Sequence, residues 1–367
     1  MKSIMKAISD ITSLELQLVV GGAVLSKDYG DFESRILADG FTIEDRLPYI
    51  QGETSPEDVA HSLARCTRQA TEVFARLKPD LVLLIADRYE VLSLAQVALC
   101  LNIPIAHLEG GEISGSIDER IRHAVTKLSH IHLTANKAAA ARIIKMGEHP
   151  EHVHVVGSPS LDLLQEIDLT NTSNVHAILE TQGIGPAIDL SKDYIVVSQH
   201  PVVTEYATAQ KDFCATVDAV MELNIPVVWI LPNDDAGADK IYAPLRQLQN
   251  TPGRPPVCTI GGLPFNEYAC LLMNSRVLIG NSSSGVREAG FLGVPVVNVG
   301  TRQNQRQRCH NVIDVSCNTV RIVEMAKAQI LHGPYACDTL YGDGNADKKI
   351  TEILTMPLPE IDKTIAY

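Results

Sequence analysis

Short apolar runs alternate with longer amphipathic stretches along the whole chain. Apolar runs of this length are typical of buried strands, and the amphipathic stretches between them are typical of helices. Strands joined by helices form parallel sheets. The pattern therefore predicts an α/β fold, with first-half strands at residues 14–20, 81–85, 103–108, 130–134 and 152–156 and helices at 56–77 and 90–101.

The second half repeats the pattern after a break. Residues 166–192 are poorer in apolar periodicity and contain Asn, Thr, Gly and Pro, which favours a linker followed by a peripheral element. Strands are then predicted at residues 194–198, 226–231, 257–260, 276–280 and 295–299. We therefore expect one α/β domain over 1–165, a second α/β domain over 166–345, a closing helix and tail over 346–367, and a cleft between the two domains.

The first residues do not open in the usual way for a nucleotide-binding α/β domain. Residues 3–9 are helical in pattern and precede the first predicted strand, whereas such a domain normally opens with a strand and a glycine-rich turn. We expect the first sheet to lack its opening strand. The consequence would be an unpaired slot near residues 14–20 and 81–85.

Composition and charge exclude several classes of protein. A formal charge of −13 argues against a general nucleic-acid surface, which requires a basic stripe. The eight cysteines show no zinc-type spacing, and His130 and His132 are best explained as ordinary strand residues, so no metal is expected. No apolar stretch has the length of a membrane span, and the first residues lack a signal-peptide core. A cytoplasmic location without membrane or nucleic-acid partners is the expectation.

Polar residues follow the predicted strands at six places. A lone polar residue there is more often a turn or cap residue. Ligands of parallel α/β sheets, however, bind beyond the carboxyl ends of the strands, so six such ends favour a ligand site. These residues are Asp87 and Arg88 in LVLLIADR, Glu109 in IPIAHLEGGE, His200 in YIVVSQHP, Asn233 in IPVVWILPND, the loop after residue 280, and Arg302 in VPVVNVGTRQ.

The loop GNSSSG, residues 280–285, is the strongest candidate for an anion site. It offers backbone N–H groups and hydroxyls at a predicted helix N-terminus, where the helix dipole favours a diphosphate. It is neither a P-loop nor a GxGxxG motif, so ATP hydrolysis and NAD binding lose support. Glu288 lies in the first turns of the predicted helix and faces either a ribose diol or solvent.

Six motifs together resemble the UDP-N-acetylglucosamine 2-epimerase family over nearly the whole chain: DRYE, HLEGGEISGSIDERIRHAVTKLSH, SQHP, GNSSSGVREAG, GVPVVNVGTRQ and YGDGNA. The second of these looks like the hydrolysing branch, which supplies N-acetylmannosamine or diacetamido sugars for sialic-acid-type compounds. The resemblance implies two Rossmann-like domains of the glycosyltransferase-B type and a homodimer or homotetramer. It also implies a UDP-sugar substrate and no cofactor.

The resemblance implies roles for matching residues. Acid/base catalysis would fall to Asp87, Glu109 and Asp118, with His200 as an active-site histidine. Substrate binding would involve Ser282, Ser283, Glu288 and Arg302, with the nucleotide held mostly by the Rossmann-like domain over 166–345. Three further substrate-binding candidates are predicted from their positions: Arg88 beside Asp87 and near the phosphates, Asn233 at a strand end, and Gly285 in the GNSSSG loop. The implied reaction is elimination to a 2-acetamidoglycal followed by hydration, which releases UDP and the free C2-inverted sugar from UDP-N-acetylglucosamine or UDP-N,N′-diacetylbacillosamine.

The departure from the family lies at the N-terminus. Family members begin with a strand and a Gly-x-Arg-Ala/Pro loop, and this sequence starts after that point. Either the true start codon lies upstream or the strand is absent, and its absence would put activity in doubt.

Three alternatives to the hydrolysing epimerase stay open. Two share its architecture: a non-hydrolysing epimerase and a glycosyltransferase. The third, suggested by the N-terminal departure, is a nucleotide-sugar-binding protein without catalysis.

Overall fold

The chain folds into two compact α/β units. The computed structural model describes residues 1–25, 32–50, 55–113, 117–202, 205, 208–232, 244–245, 248 and 254–366. One unit comprises Met1–Pro159 with Asn345–Tyr367, and the other comprises Ser160–Gly344. Each contains parallel strands connected by helices, so the predicted α/β class with two Rossmann-like domains is confirmed.

The described residues of the first unit form six strands in two parallel sheets. Its strands are β1 (Val19–Gly21), β2 (Asp45–Leu47), β3 (Val82–Ile85), β4 (Ile105–Leu108), β5 (Ile131–Thr134) and β6 (Val153–Val155). Its helices before the second unit are α1 (Lys2–Ser9), α2 (Phe32–Ala38), α3 (Pro56–Leu77), α4 (Tyr89–Cys100), α5 (Ile117–Leu128) and α6 (Lys137–Lys145). All residues of β4 and β5 are buried, as expected where helices cover both faces of a parallel sheet.

Local signals in the sequence explain the limits of α3. The Ser55 hydroxyl accepts the backbone N–H of Asp58 at 3.2 Å, and the Asp58 carboxylate accepts the backbone N–H of Ser55 at 3.0 Å. This capping box satisfies two amides that the first turn leaves unpaired. At the other end Lys78 takes a left-handed φ of 48°, which stops the helix. The helix predicted over residues 56–77 is therefore confirmed at both ends.

Within the described part of the second unit, the strands form one six-stranded parallel sheet. Its strands are β7 (Ile195–Ser198), β8 (Val227–Ile230), β9 (Val257–Ile260), β10 (Leu278–Gly280), β11 (Val296–Val299) and β12 (Val312–Val315). The described helices are α7 (Ser173–Gln182), α8 (Ala209–Leu223), α9 (Phe265–Met273), α10 (Glu288–Leu292) and α11 (Thr319–His332). The spatial order β9-β8-β7-β10-β11-β12 is the Rossmann order 3-2-1-4-5-6. The order reverses between β7 and β10.

Comparison of the two units shows an empty strand position in the first. There β1 pairs with β2 and β3 pairs with β4, but no described strand joins β1 to β3. In the second unit the corresponding central position is filled by β7. Between β1 and β3 lies a cavity of about 640 Å³, lined mainly by apolar side chains that include Val20, Leu47 and Leu84. The cavity lies where the unpaired slot was predicted, and we call it the strand slot.

The sequence pattern misplaced the start of one strand and missed two others. Residues 14–18 are not part of a strand, because β1 begins only at Val19, beside the strand slot. The pattern also missed β2 and β12. Both are short edge strands that carry exposed or half-exposed polar residues such as Arg46 and Asp314, so neither forms a continuous apolar run.

The chain returns to the first unit at its end. Helix α12 (Ala346–Leu354) packs against α1, with Ile4 and Ile350 fully buried between them and the sheet. Beyond α12 the Lys363 ammonium donates to the backbone carbonyls of Lys127 and Ser129 at 2.9 and 2.5 Å. Basic groups are favourable at the C-terminus of a helix, so Lys363 stabilises the end of α5. No helix in the described ranges is both long and apolar enough to cross a bilayer.

Glu148 anchors the same tail and should make stability depend on pH. Its buried carboxylate accepts hydrogen bonds from Lys127 at 2.5 Å, Lys363 at 2.6 Å and His132 at 3.0 Å. Burial alone would raise the pKa of Glu148, but these three hydrogen bonds lower it to about 2. A carboxyl whose pKa is depressed in the folded state stabilises the fold above its unfolded pKa and loses that contribution as the pH falls.

Replacing Glu148 with glutamine should therefore lower the melting temperature at pH 7, and the deficit should shrink as the pH falls from about 4.5 toward about 2. Calorimetry of both proteins across this window measures the effect. Glu151→Gln is the matched control, because that side chain is 74% exposed. A deficit for Glu148→Gln that stays constant with pH would contradict the assigned role.

Candidate functional site

Two carboxylates lie at the carboxyl ends of neighbouring strands in the four-stranded sheet of the first unit. Glu109 directly follows β4, and Asp87 follows β3 after one residue. These strands are neighbours in register, with Ile85 opposite Leu108. Ala86 and Glu109 have positive backbone φ values of 62° and 61°, which residues other than glycine rarely adopt. Each strand therefore ends in a sharp turn, and the two turns are side by side.

Asp87 is paired with a buried arginine. The Arg122 guanidinium is 2% exposed and donates to the Asp87 carboxylate. It also donates to the backbone carbonyl of Glu112 at 2.6 Å. Asp118 lies in the first turn of α5, four residues before Arg122, so both side chains belong to one face of the helix. Arg122 thus connects the end of β3 with the helix face that carries Asp118.

Glu109 and the loop after it are held by hydrogen bonds from two other segments. The Ser158 hydroxyl donates to the Glu109 carboxylate at 2.8 Å. The Glu112 carboxylate, 4% exposed, accepts from the Asn136 amide at 2.7 Å. Asn136 also caps α6 by accepting the Ala139 N–H at 2.9 Å. The loop between Glu109 and Glu112 is therefore fixed at both ends.

Arg88 is oriented differently from Asp87. Its side chain is 63% exposed and pairs with Glu90 at 2.9 Å. Its guanidinium also lies 5.5 Å from the centre of the Tyr89 ring. Its predicted contact with substrate phosphates stays a prediction.

In the second unit, His200 and Asn281 meet at the point where the strand order reverses. His200 follows β7 and Asn281 directly follows β10. The Asn281 side chain accepts the His200 backbone N–H at 2.7 Å and donates to the His200 carbonyl at 2.9 Å. Crevices at such reversals are the usual ligand sites of open α/β sheets. Asn281 therefore fixes the backbone of His200 at this site.

Gly280 makes this approach possible. Its φ is 137°, and a Cβ atom there would lie 2.1 Å from the Ser198 carbonyl oxygen. Any side chain would push β10 away from the end of β7.

The serine loop after Asn281 is stabilised by its own hydrogen bonds. Within this loop the Ser282 and Ser284 hydroxyls lie 2.9 Å apart, and the Tyr268 hydroxyl lies 2.5 Å from that of Ser284. Burial raises the pKa of Tyr268 to about 12, so this phenol stays protonated. The Gly285 amide donates to the Ser282 carbonyl at 3.1 Å. The Ser283 side chain, by contrast, is exposed.

The helices that follow this loop are short. Ser282 caps a single 3₁₀ turn over Ser283–Gly285, and α10 after it has five residues. The amides of Gly285, Val286 and Arg287 already donate within the loop. A Cβ at Gly285 would lie 3.1 Å from a methyl group of Val296, which accounts for this glycine by packing.

Arg302 reaches the same loop from β11. Its guanidinium donates to the Asn281 carbonyl at 3.1 Å, and the buried Gln303 amide donates to the same oxygen at 2.8 Å. Glu288 is the first residue of α10 and is partly exposed. The predicted site residue Asn233 lies outside the described residues.

Comparison with known proteins identifies the family. A model of the UDP-N-acetylglucosamine 2-epimerase family matches residues 6–355. The chain belongs to this family. The resemblance seen in the sequence motifs is therefore confirmed.

Two sequence relatives cover almost the whole of this epimerase-family chain. A UDP-N,N′-diacetylbacillosamine 2-epimerase (hydrolyzing) from Legionella pneumophila is 35% identical over 370 residues, covering 100% of this chain and 96% of the relative. A UDP-N-acetylglucosamine 2-epimerase from Neisseria meningitidis is 30% identical over 362 residues, covering 97% of this chain and 92% of the relative.

Solved structures of family members share the fold. The Neisseria meningitidis UDP-GlcNAc 2-epimerase bound to UDP-GlcNAc has a TM-score of 0.80 at 16% identity, covering 96% of this chain and 95% of that one. The Methanocaldococcus jannaschii UDP-GlcNAc 2-epimerase in complex with UDP-GlcNAc and UDP has a TM-score of 0.77 at 17% identity, with the same coverage. The likeness shows that the family fold of two Rossmann-like domains, of the glycosyltransferase-B type, is present here.

Sequence reasoning assigned no individual role to several residues that contact the candidate site residues of each unit. Arg122 carried a signal, since it lies one helical turn after Asp118, and Asn281 carried one because it follows a predicted strand and lies in the predicted loop 280–285. Ser158 follows a predicted strand as well. Gln303 carried no signal, because only the folded chain brings it to Asn281.

Two buried histidines near β5 form hydrogen bonds within the first unit. No group of three or more His, Cys, Asp or Glu side chains in the described segments is suited to a metal ion. His132 bonds to Glu148, and His130 accepts the Ile105 N–H at 3.2 Å.

Proposed function

We propose that this chain is a hydrolysing 2-epimerase that converts a UDP-N-acetylated sugar to UDP and the free C2-inverted sugar. The observation that carries this proposal is the pair of neighbouring strand ends that present Asp87 and Glu109, with Asp118 on the adjoining face of α5. Family membership and the hydrolysing Legionella pneumophila relative support it. The substrates we propose are UDP-N-acetylglucosamine and UDP-N,N′-diacetylbacillosamine.

The chemistry of the reaction explains why several carboxyl groups are required. The C2 proton is not next to a carbonyl, so it becomes removable only as the bond between C1 and the phosphate oxygen breaks. A base takes this proton while UDP leaves, which gives a 2-acetamidoglycal. Water then adds its oxygen to C1, and a proton returns to C2 on the opposite face. Removal and return of protons on two faces require at least two titratable groups.

We assign these proton transfers to Asp87, Glu109 and Asp118. Arg122 holds the Asp87 carboxylate by an ion pair, and Ser158 holds Glu109 by a hydrogen bond, so both are positioned before substrate binds. Preorganised groups of this kind avoid reorganisation during the reaction. The proposal needs no metal or redox cofactor.

We assign the departing diphosphate to the second unit. The exposed Ser283 hydroxyl and the Arg302 guanidinium are the donors, and His200 lies at the same reversal of strand order. Hydrogen bonds to a charged leaving group strengthen as negative charge accumulates on it. We propose that Glu288 accepts hydrogen bonds from the ribose.

A decisive experiment incubates the purified protein with UDP-N-acetylglucosamine, UDP-N,N′-diacetylbacillosamine and the GDP form of the latter in D₂O. NMR should show UDP, a free C2-inverted sugar and deuterium at C2 of the product. An epimerised nucleotide sugar without release of UDP would instead support the non-hydrolysing alternative. Turnover only with an added sugar acceptor would indicate a glycosyltransferase. Binding without turnover would indicate a nucleotide-sugar-binding protein.

The proposed diphosphate site predicts different effects for its two leading serines. Ser283→Ala removes an exposed hydroxyl and should weaken UDP binding by about tenfold, as expected for one hydrogen bond to a charged group. Ser282→Ala also removes the contact with Ser284 and should lower both UDP affinity and kcat. Calorimetric titration with UDP beside turnover measures both. Ser316→Ala, at an exposed serine, is the control, and unchanged UDP affinity in Ser283→Ala would remove Ser283 from the site.

A further inference from the structure

His107 is a buried polar residue that the proposed proton transfers do not use. It lies in β4 and is 0% exposed. One ring nitrogen, Nε2, is 2.8 Å from the Ala86 carbonyl oxygen, and the other, Nδ1, is 3.2 Å from the Thr126 hydroxyl. The ring therefore connects β4 with the turn after β3 and with α5.

The partners of the ring determine which nitrogen carries the proton. A carbonyl oxygen can only accept, so Nε2 donates to Ala86. The Thr126 hydroxyl can then donate to Nδ1 of a neutral ring. Burial lowers the pKa of His107 to about 4, which agrees with a neutral imidazole near pH 7. His107 therefore serves as a fixed hydrogen-bond donor and not as a proton carrier.

The group that receives this hydrogen bond is the peptide next to Asp87. Ala86 has a φ of 62°, a conformation that alanine adopts only when its surroundings impose it. Its N–H donates to the Leu108 carbonyl at 2.9 Å, and its carbonyl accepts from His107. Both polar groups of this strained residue are thus tied to β4.

The same ring also lies against the loop that carries Glu109. A Cβ atom at Gly110 would lie 2.9 Å from His107 Nδ1, so the ring and the Gly110 backbone are in close contact. His107 consequently contacts the chain immediately next to Asp87 and immediately next to Glu109.

We propose that His107 is a positioning residue that sets the location of the Asp87 carboxylate relative to Glu109 by holding the strained Ala86 peptide. The proposal rests on the proposed function of these two carboxylates. The ring acts through the backbone and touches no substrate. Without its donor, Ala86 would relax toward an ordinary φ, and the Asp87 side chain would move relative to Glu109 and Arg122.

The test compares His107→Met with His107→Gln. Methionine is of similar length but has no donor, whereas the glutamine amide nitrogen occupies the region of Nε2 and can donate to Ala86. His107→Met should lower kcat by about tenfold to a hundredfold, the effect of a misplaced catalytic group, while KM changes by less than about twofold. His107→Gln should recover kcat to within about threefold of the wild type.

His132→Met is the matched control. His132 is the register partner of His107 on β5, is 1% exposed and bonds to Glu148 instead of a site residue. This variant should lose thermal stability but keep kcat per folded molecule. A loss of kcat in His132→Met equal to that in His107→Met would show a merely structural effect and overturn the proposal.

Crystal structures of His107→Met and the wild type provide a readout that is independent of activity. The proposal expects Ala86 to leave positive φ and the Asp87 carboxylate to separate from Arg122. An unchanged Ala86 and Asp87, or a wild-type kcat in His107→Met, would overturn the positioning role. Absence of turnover in the wild type would overturn the proposed function instead, and the two crystal structures would still decide whether His107 holds Asp87.

Discussion

Replacing Glu109 with glutamine is expected to lower kcat by about a hundredfold or more, with little change in the affinity for UDP. Glutamine keeps the size of the side chain and can still accept the Ser158 hydrogen bond, but it cannot transfer a proton at C2. UDP contains no C2 centre, so its binding does not depend on this group. Turnover measured beside calorimetric titration with UDP separates the two effects.

Asp118→Asn should also lower kcat with little change in UDP affinity, because Asp118 is one of the three carboxylates to which we assign the proton transfers. It lies on the same face of α5 as Arg122, which pairs with Asp87. Glu119→Gln is the control on the same helix, where Glu119 pairs with His123 at 3.5 Å. Near-normal turnover in the Glu109 or Asp118 amide variants would remove that residue from the mechanism. A parallel loss in Glu119→Gln would indicate that any change in this helix disturbs the site.

Much of the fold follows from burial alone. The strands that lie inside the sheets, such as β4 and β8, are apolar at nearly every position, because helices cover both faces, and the sequence pattern located them within two residues. Edge strands have no such constraint. The pattern therefore missed β2 and β12, and it extended β1 back to residue 14 although the strand begins at Val19.

Candidate site residues were predictable where chemistry coincides with strand ends. Asp87, Glu109 and His200 were proposed from the sequence because the carboxyl ends of parallel strands share one edge, and the structure places them after β3, β4 and β7. Arg122 and His107 were not proposed: Arg122 had only its helical spacing from Asp118 as a signal, and His107 lies in an apolar run. Their function in the structure depends on contacts with Asp87 and Ala86, more than 20 residues away in the sequence.

The serine loop shows a limit of the same reasoning. Its small residues predicted a helix N-terminus with free amides, but Ser282, Ser284 and Tyr268 use their hydroxyls within the loop and the helix after it is short. Which hydroxyls stay available depends on these local bonds. Composition carries no information about them.

An N-terminal extension that supplies a strand for the strand slot is expected to raise the melting temperature by about 5 °C or more. Four apolar β-branched residues would gain about 8 kcal/mol from burial between β1 and β3. Ordering their backbone would cost about 6 kcal/mol. The net gain of about 2 kcal/mol corresponds to roughly 4–8 °C for a domain of this size.

A same-length extension of glycine and serine is the control, because it has the same linker but no side chains to fill a cavity lined by Val20, Leu47 and Leu84. Calorimetry gives the melting temperatures, and hydrogen exchange reports the amides of β3. Those that point into the strand slot should gain protection only with the apolar extension, since only a paired strand offers them carbonyl acceptors. Equal melting temperatures and equal exchange in the two proteins would show that the slot does not accept a strand. Stronger protection of these β3 amides in the protein with the apolar extension would instead show that β1 and β3 flank the central strand position of one continuous parallel sheet. In the second unit, β8 and β10 flank β7 in this way.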